Sequence, residues 1–167
     1  MHIECVCLGN ICRSPAAEAV LRRKFAEAGL DEVTVTSAGT GDWHVGQDPY
    51  HLSSQEGERR GYTFETVARQ IAPGDFAGAD LVLAMDEQNA EDLRALAPTP
   101  QDAAKVVALG AFAPGADAAD PEPVPDPYGQ DAAAFTAMYD QIEPACEGLV
   151  AAVRDGSWRQ VVERAAR

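Results

Sequence analysis

Positive charge is scarce in this chain: 13 lysines and arginines face 27 aspartates and glutamates, a formal net charge of −14. That deficit excludes a nucleic-acid binder, which needs a basic surplus to neutralise backbone phosphates. Cysteine is also sparse, and three of the four (Cys5, Cys7, Cys12 and Cys146) crowd into eight residues. Such a set makes no disulfide scaffold, and reduced thiols in a cytoplasmic protein are the expectation. Neither a basic leader with an apolar run nor a stretch of membrane-spanning length is apparent, so no membrane association is expected. The three histidines, His2, His44 and His51, show no metal-ligand spacing and read as surface or loop residues. What remains is ordinary globular composition, 46% hydrophobic and 24% charged over 167 residues, enough for one well-buried core.

Hydrophobic patterning divides the chain into alternating strands and helices. His2–Leu8 reads as a strand, Ser14-Pro15 as a helix start with the serine as cap and the proline at the first helical position, and Val20, Leu21, Phe25 and Ala28 as an apolar stripe that Gly29 stops. Val33–Ser37 is a second strand closed by the turn from Ala38 to Gly41, and 50–60 is helix-compatible. Ala79–Met85 is a nearly continuous apolar run suited to a central strand covered on both faces. A helix from Asp86 to Ala97 and a fourth strand, Lys105–Leu109, follow. The Pro- and Asp-rich stretch Ala113–Tyr128 reads as a long functional loop rather than a linker, because only one strong helix, Asp131–Arg154, comes after it. The expectation is a single-domain α/β fold over residues 1–156, with an open, mostly parallel four-stranded sheet, helices on both faces, and a C-terminal tail at 157–167.

The chemistry concentrates at Cys7-Leu8-Gly9-Asn10-Ile11-Cys12-Arg13-Ser14, where a thiol and a guanidinium stand six positions apart between a strand and a helix. A glycine-containing loop entering a helix aims several N–H groups at one point, and the helix N-terminus adds positive potential there. An anion is the natural occupant, and the same field stabilises the thiolate of Cys7 as a nucleophile. Phosphoryl transfer to that sulfur also needs an acid for the leaving oxygen. Asp126, between Pro125 and Pro127 in the long loop, is the candidate. Bland rivals exist: Cys7 as a core cysteine at a strand end, Asp126 as a turn cap, Trp43 and Tyr128 as core aromatics. Cys5 itself is read as core.

The segment Val6–Pro15 resembles the signature of the low-molecular-weight protein tyrosine phosphatases. Ser37-Ala38-Gly39-Thr40, Asp42-Trp43, Ala68-Arg69-Gln70-Ile71, Asp75-Phe76, Leu83-Ala84-Met85-Asp86 and Asp126-Pro127-Tyr128 follow in the order that family shows. The resemblance implies a phosphocysteine on Cys7, Asp126 as general acid and then base, and Arg13 gripping two phosphoryl oxygens. Ser14 would donate to the thiolate. Asn10 would adopt a left-handed conformation held by residues including Ser37. Leu8, Gly9, Ile11 and Cys12 complete the loop, and Trp43 and Tyr128 would flank a phenol ring. Cys12 is read either as a lining residue or as a redox guard able to form a reversible disulfide with Cys7. No metal or cofactor is implied. The implied partner is a phosphotyrosine-containing protein, a tyrosine kinase among the candidates.

Two departures from that pattern stand out. Thr66 occupies a position where many relatives have histidine, so the network supporting Asn10 is expected to be wired differently, and Gly129 replaces a second tyrosine. Thioredoxin-coupled arsenate reductases share the loop but need mid-chain cysteines, which are absent between Cys12 and Cys146. Protein arginine phosphatases carry threonine where this chain has Ile11. A non-enzymatic phosphotyrosine-binding module would lack the nucleophile or the acid.

Overall fold

Four short strands, His2–Cys7 (β1), Thr34–Gly39 (β2), Leu81–Ala84 (β3) and Val106–Ala108 (β4), pair side by side in the order β2-β1-β3-β4, all parallel. Parallel neighbours require crossovers, and helices supply them. They are Arg13–Glu27 (α1), His51–Arg59 (α2), Asp75–Gly78 (α3), Glu87–Leu96 (α4), Pro100–Ala103 (α5), Ala132–Asp155 (α6) and Trp158–Ala165 (α7), with a 3-10 turn at Leu109–Phe112. The computed structural model describes residues 1–166.

Side-chain alternation along β1 feeds two cores. Ile3, Cys5 and Cys7 pack with Leu81, Leu83, Val107 and the apolar faces of α1 and α6. Val6 joins Ala38, Val82, Ala84 and the α4 residues Ala90 and Leu93 on the other face. Helices thus cover both faces, as the near-continuous apolar run of β3 requires.

Observed boundaries shift where hydrogen bonds override local preference. Helix α1 begins at Arg13 with Cys12 at the cap position and no side-chain cap. The expected capping serine, Ser14, is fully buried and spends its hydroxyl elsewhere. Gly29, at φ +70°, ends the chain's turn out of α1. Helix α6 carries Pro144 in its interior, at the loss of one helical hydrogen bond, and still runs 24 residues from an Asp131 cap to Gly156 at φ +82°. Of its expected apolar stripe, Phe135, Met138, Ile142, Cys146 and Leu149 are buried and Val153 half-buried. In the segment read as a tail, α7 packs Trp158, Val161, Val162 and Ala165 against the first core. Among the described residues, no helix is long and apolar enough to cross a membrane.

Candidate active site

Strand carboxyl ends are where open parallel sheets bind ligands, and three of them converge here. Cys7 ends β1 opposite Gly39, the last residue of β2. The loop after Cys7 is seated on that neighbour by Thr40 N–H to the Cys7 carbonyl (2.9 Å) and Gly41 N–H to the Leu8 carbonyl (2.9 Å). The approach is close enough that a Cβ at Gly39 would stand 2.8 Å from the Leu8 oxygen, so only glycine fits. Asn10 turns the loop at φ +55°, alone among the described non-glycine residues in having positive φ. Its side-chain amide donates to Ser14 Oγ and to Ser37 Oγ, both 2.9 Å, and its Oδ1 accepts from Arg69 N–H at 3.0 Å. Ser14 Oγ lies 3.1 Å from Cys7 Sγ and 3.2 Å from the Ala38 carbonyl.

Arg13 is 2% exposed and is gripped from behind. Its Nη1 donates to Asp86 Oδ2 (2.5 Å) and to the Val124 carbonyl (3.1 Å). Asp86 also caps α4, its other oxygen accepting from Asn89 N–H at 2.7 Å, so one carboxylate starts a helix and aims the guanidinium. Nη2 stands 3.6 Å from Asp126 Oδ2, and Nε is buried without a partner. An unpartnered donor on a buried guanidinium beside a thiol is the expected signature of an oxyanion site.

The long loop brings Asp126 over this cradle. Val124 N–H donates to the Met85 carbonyl at the end of β3, and Gln141 Nε2 reaches the Pro123 carbonyl from α6. Asp126 keeps a 43% exposed side chain and accepts from Tyr128 N–H through Oδ1. A pocket is thereby lined by Cys7, Leu8, Gly9, Ile11, Cys12, Arg13, Trp43, His44, Asp126 and Tyr128. Asn10, Ser14 and Ser37 lie beneath it as its hydrogen-bonded floor. A larger cavity of about 360 Å³ between residues 110–124 and α6 holds neither thiol nor cation, and the chemistry belongs to the smaller one.

Two exposed aromatics form the walls, Trp43 at 68% and Tyr128 at 52%. The Trp43 ring lies so tightly over Gly41 that a Cβ there would be 1.8 Å from it. Tyr128 is propped by the edge of Tyr50, centroids 5.2 Å apart, and Tyr50 stacks in turn on Phe135. Contrary to its reading as an ordinary loop residue, His44 lines the pocket, with its ring 5.7 Å from Tyr128 and close above Gly9. Tyr50, His44 and Asp86 are the contributors that sequence reasoning missed. Only Asp86 had a local signal, an aspartate after a buried strand and before a helix.

All four cysteines are free and buried. Burial pushes the Cys5, Cys12 and Cys146 thiols up; at Cys12 the neighbouring Cys7 and Asp126 push the same way and Arg13 opposes. Among the described residues no cluster of three or more ligating side chains is arranged to hold a metal ion.

Comparison with known proteins matches the low molecular weight phosphotyrosine protein phosphatase family over residues 2–158. A low molecular weight protein-tyrosine-phosphatase of Streptomyces coelicolor is 43% identical over 162 residues, covering 96% of each chain. Among solved structures, a protein tyrosine phosphatase from Entamoeba histolytica with Hepes in its active site superposes with a TM-score of 0.88 at 35% identity, covering 94% of this chain and 99% of that one. The Drosophila arginine phosphatase superposes with a TM-score of 0.82 at 34% identity, covering 90% and 96%.

Proposed function

The chain belongs to the low molecular weight phosphotyrosine protein phosphatase family, a family of hydrolases, and from that premise we propose that it hydrolyses phosphotyrosine in proteins through Cys7. The observation that carries the reading is the meeting of Cys7, Arg13 and Asp126 in one pocket walled by Trp43 and Tyr128. Cys7 sulfur attacks phosphorus, with the Nε and Nη2 edge of Arg13 binding two equatorial oxygens in a geometry lysine cannot reproduce. As the bond from phosphorus to the phenolic oxygen breaks, Asp126 gives that oxygen a proton. Its carboxylate then takes a proton from water, which attacks phosphorus and releases Cys7 and inorganic phosphate. Ser14, 3.1 Å from Cys7 Sγ, donates to the sulfur each time it carries negative charge.

Aromatic walls favour a phenyl ester, since ring contacts add binding that an alkyl ester cannot collect. Ile11 in the pocket lining offers no hydroxyl to a phosphoguanidinium, which sets this site against a phosphoarginine preference. Cys12, also in the lining, suits a redox guard: peroxide converts the Cys7 thiolate to a sulfenic acid, and the Cys12 sulfur displaces water to form a disulfide that a dithiol later reduces. Four free thiols suit a reducing, cytoplasmic compartment. An autophosphorylating tyrosine kinase is one bearer of such a phosphotyrosine.

The test is release of phosphate from phosphotyrosine, phosphoarginine and phosphoserine peptides in the presence of a chelator, by wild type, Cys7→Ser and Asp126→Ala. The expected order is phosphotyrosine first by a wide margin, with Cys7→Ser inactive. Activity kept by Cys7→Ser would sink the mechanism, and faster phosphoarginine turnover would move the protein beside its arginine phosphatase relatives.

A further inference from the structure

We infer that a hollow beside Asp126, between the long loop and α6, is a subsite for a lysine or arginine flanking the phosphotyrosine in the protein substrate. This rests on phosphotyrosine being the substrate and concerns the residues next to it in the bound chain. Asp126 lines both the reaction pocket and this hollow, so the two openings share one lip. The hollow, of about 160 Å³, is lined by Pro125 and Pro127 from the loop and by Ala134, Ala137 and Met138 from α6. A peptide whose phosphotyrosine reaches Cys7 carries its neighbouring residues past that lip.

The lining selects the occupant. Prolines, alanines and a methionine give an apolar bed that a hydrocarbon stem can cover. Gln130 and Gln141 also line the hollow, and each spends an amide N–H on the loop: Gln130 Nε2 donates to the Asp126 carbonyl at 2.9 Å and Gln141 Nε2 to the Pro123 carbonyl at 3.0 Å. Those bonds hold the amides in place and leave their Oε1 atoms to accept. Gln141 lines the larger cavity as well, where Asp117, Asp120 and Glu122 add three carboxylates. Among the described residues, no lysine or arginine lines either hollow to offset that charge. On a chain of net charge −14, this side of the pocket mouth is therefore negative. A basic side chain suits both features at once, its aliphatic stem on the apolar bed and its charged head at the amide oxygens, facing the carboxylates. Leucine would use the bed without the charge, and glutamate would meet repulsion.

The test measures kcat/KM for alanine-based phosphotyrosine peptides in which each flanking position in turn carries lysine, leucine or glutamate, with p-nitrophenyl phosphate as the substrate that has no flanks. At one position lysine is expected to exceed glutamate by about tenfold and leucine by about threefold at low salt, and the gap to glutamate should shrink at about 0.5 M salt. Ala137→Leu, at an exposed position of α6, fills the hollow and should bring the three peptides within about twofold of one another, with p-nitrophenyl phosphate turnover unchanged. Glu122→Gln should cut the ratio of lysine to glutamate by about two- to threefold, again with p-nitrophenyl phosphate unchanged. Equal turnover of lysine, leucine and glutamate peptides at every position overturns the inference, as does a lysine preference that survives in Ala137→Leu. Self-association in sedimentation that Ala137→Leu abolishes would also overturn it, giving the hollow to a second copy of the chain. The two readings fail separately: a wild type that hydrolyses p-nitrophenyl phosphate but none of the phosphotyrosine peptides refutes the phosphotyrosine substrate, whereas peptides hydrolysed without regard to their flanks refute only the subsite.

Discussion

The floor and the walls of the pocket are built in opposite ways. The floor, from Cys7 to Ser14 with Ser37 and Glu18 behind it, is buried except at Leu8 and Gly9, and side-chain hydrogen bonds of 2.6 to 3.1 Å tie Cys7, Asn10, Ser14, Ser37 and Glu18 together. By contrast, the walls stand on loops: Trp43 and Tyr128 are more than half exposed, and Asp126 keeps nearly half its side-chain surface. A buried network holds phosphoryl-transfer geometry because each of its members is over-determined by several partners. Exposed loop aromatics can change without disturbing that network. On the proposed function, reaction type resides in the floor and substrate choice in the walls, and perturbing each should give a different kinetic signature.

Damage to the floor should appear in kcat. Arg13→Lys keeps the charge but loses the planar fork and the grip of Asp86, and kcat for phosphotyrosine peptide should fall by about 10²- to 10³-fold in steady-state assays. Asp126→Asn, on the boundary of the two regions, should depend on the leaving group. A loss of about 10²-fold is expected for phosphotyrosine, whose phenol needs the proton, and clearly less for p-nitrophenyl phosphate, whose anion leaves unaided. Equal losses on both substrates would assign Asp126 to the floor rather than to proton transfer. Wall damage should appear in KM instead: Trp43→Ala or Tyr128→Ala should raise KM for phosphotyrosine peptide by about 5- to 20-fold, with kcat within about threefold. Should kcat collapse in either variant, the division between floor and walls fails.

The same contrast governs what the sequence disclosed. The floor was legible because strand, loop and helix start are contiguous, and a thiol six residues before an arginine at a helix start carries its chemistry locally. The place of Asp126 in the pocket was legible because flanking prolines mark a stiff loop and the proposed reaction calls for an acid. The contacts of Asp86 with Arg13 and of Tyr50 with Tyr128 span 73 and 78 positions: the place of Asp86 before a helix signals a cap but not the arginine it aims, and Tyr50 leaves no local pattern. His44 looked ordinary because its neighbours in space, Gly9 and Tyr128, come from other loops. Ser14 was misread as a helix cap: local preference favoured a cap, and tertiary contacts to Asn10, Cys7 and Ala38 claimed the hydroxyl. Pro144 inside α6 shows the same override, with packing of the apolar stripe outweighing one lost helical bond.

The smallest expected effect concerns the platform on which one wall rests. Helix α2 follows Tyr50, the prop of Tyr128, and its Ser53 hydroxyl donates to the Cys12 carbonyl at 3.1 Å. It is clamped to α6 through Arg60, which binds Glu56 on α2 and Asp140 and Glu143 on α6. Hydrogen bonds from Arg59, and then from Arg60, outweigh burial and lower Glu56, 11% exposed, from 4.5 to about 2. A carboxyl depressed on folding contributes stability that is fully present above its unfolded value and is lost as pH falls through its folded one. The window is therefore pH 4.5 down to about 2. Glu56→Gln should cost about 1–2 kcal/mol at neutral pH, discounted for the solvent reaching Arg59, and the gap to wild type in urea melts should close across that window. Because α2 supports a wall and meets the floor through backbone carbonyls, Ser53 at Cys12 and its cap residue Tyr50 at Ile11 (2.7 Å), rather than through the reacting side chains, the variant should weaken KM before kcat on approach to its melting temperature. If kcat were lost first, floor and walls would be one cooperative unit.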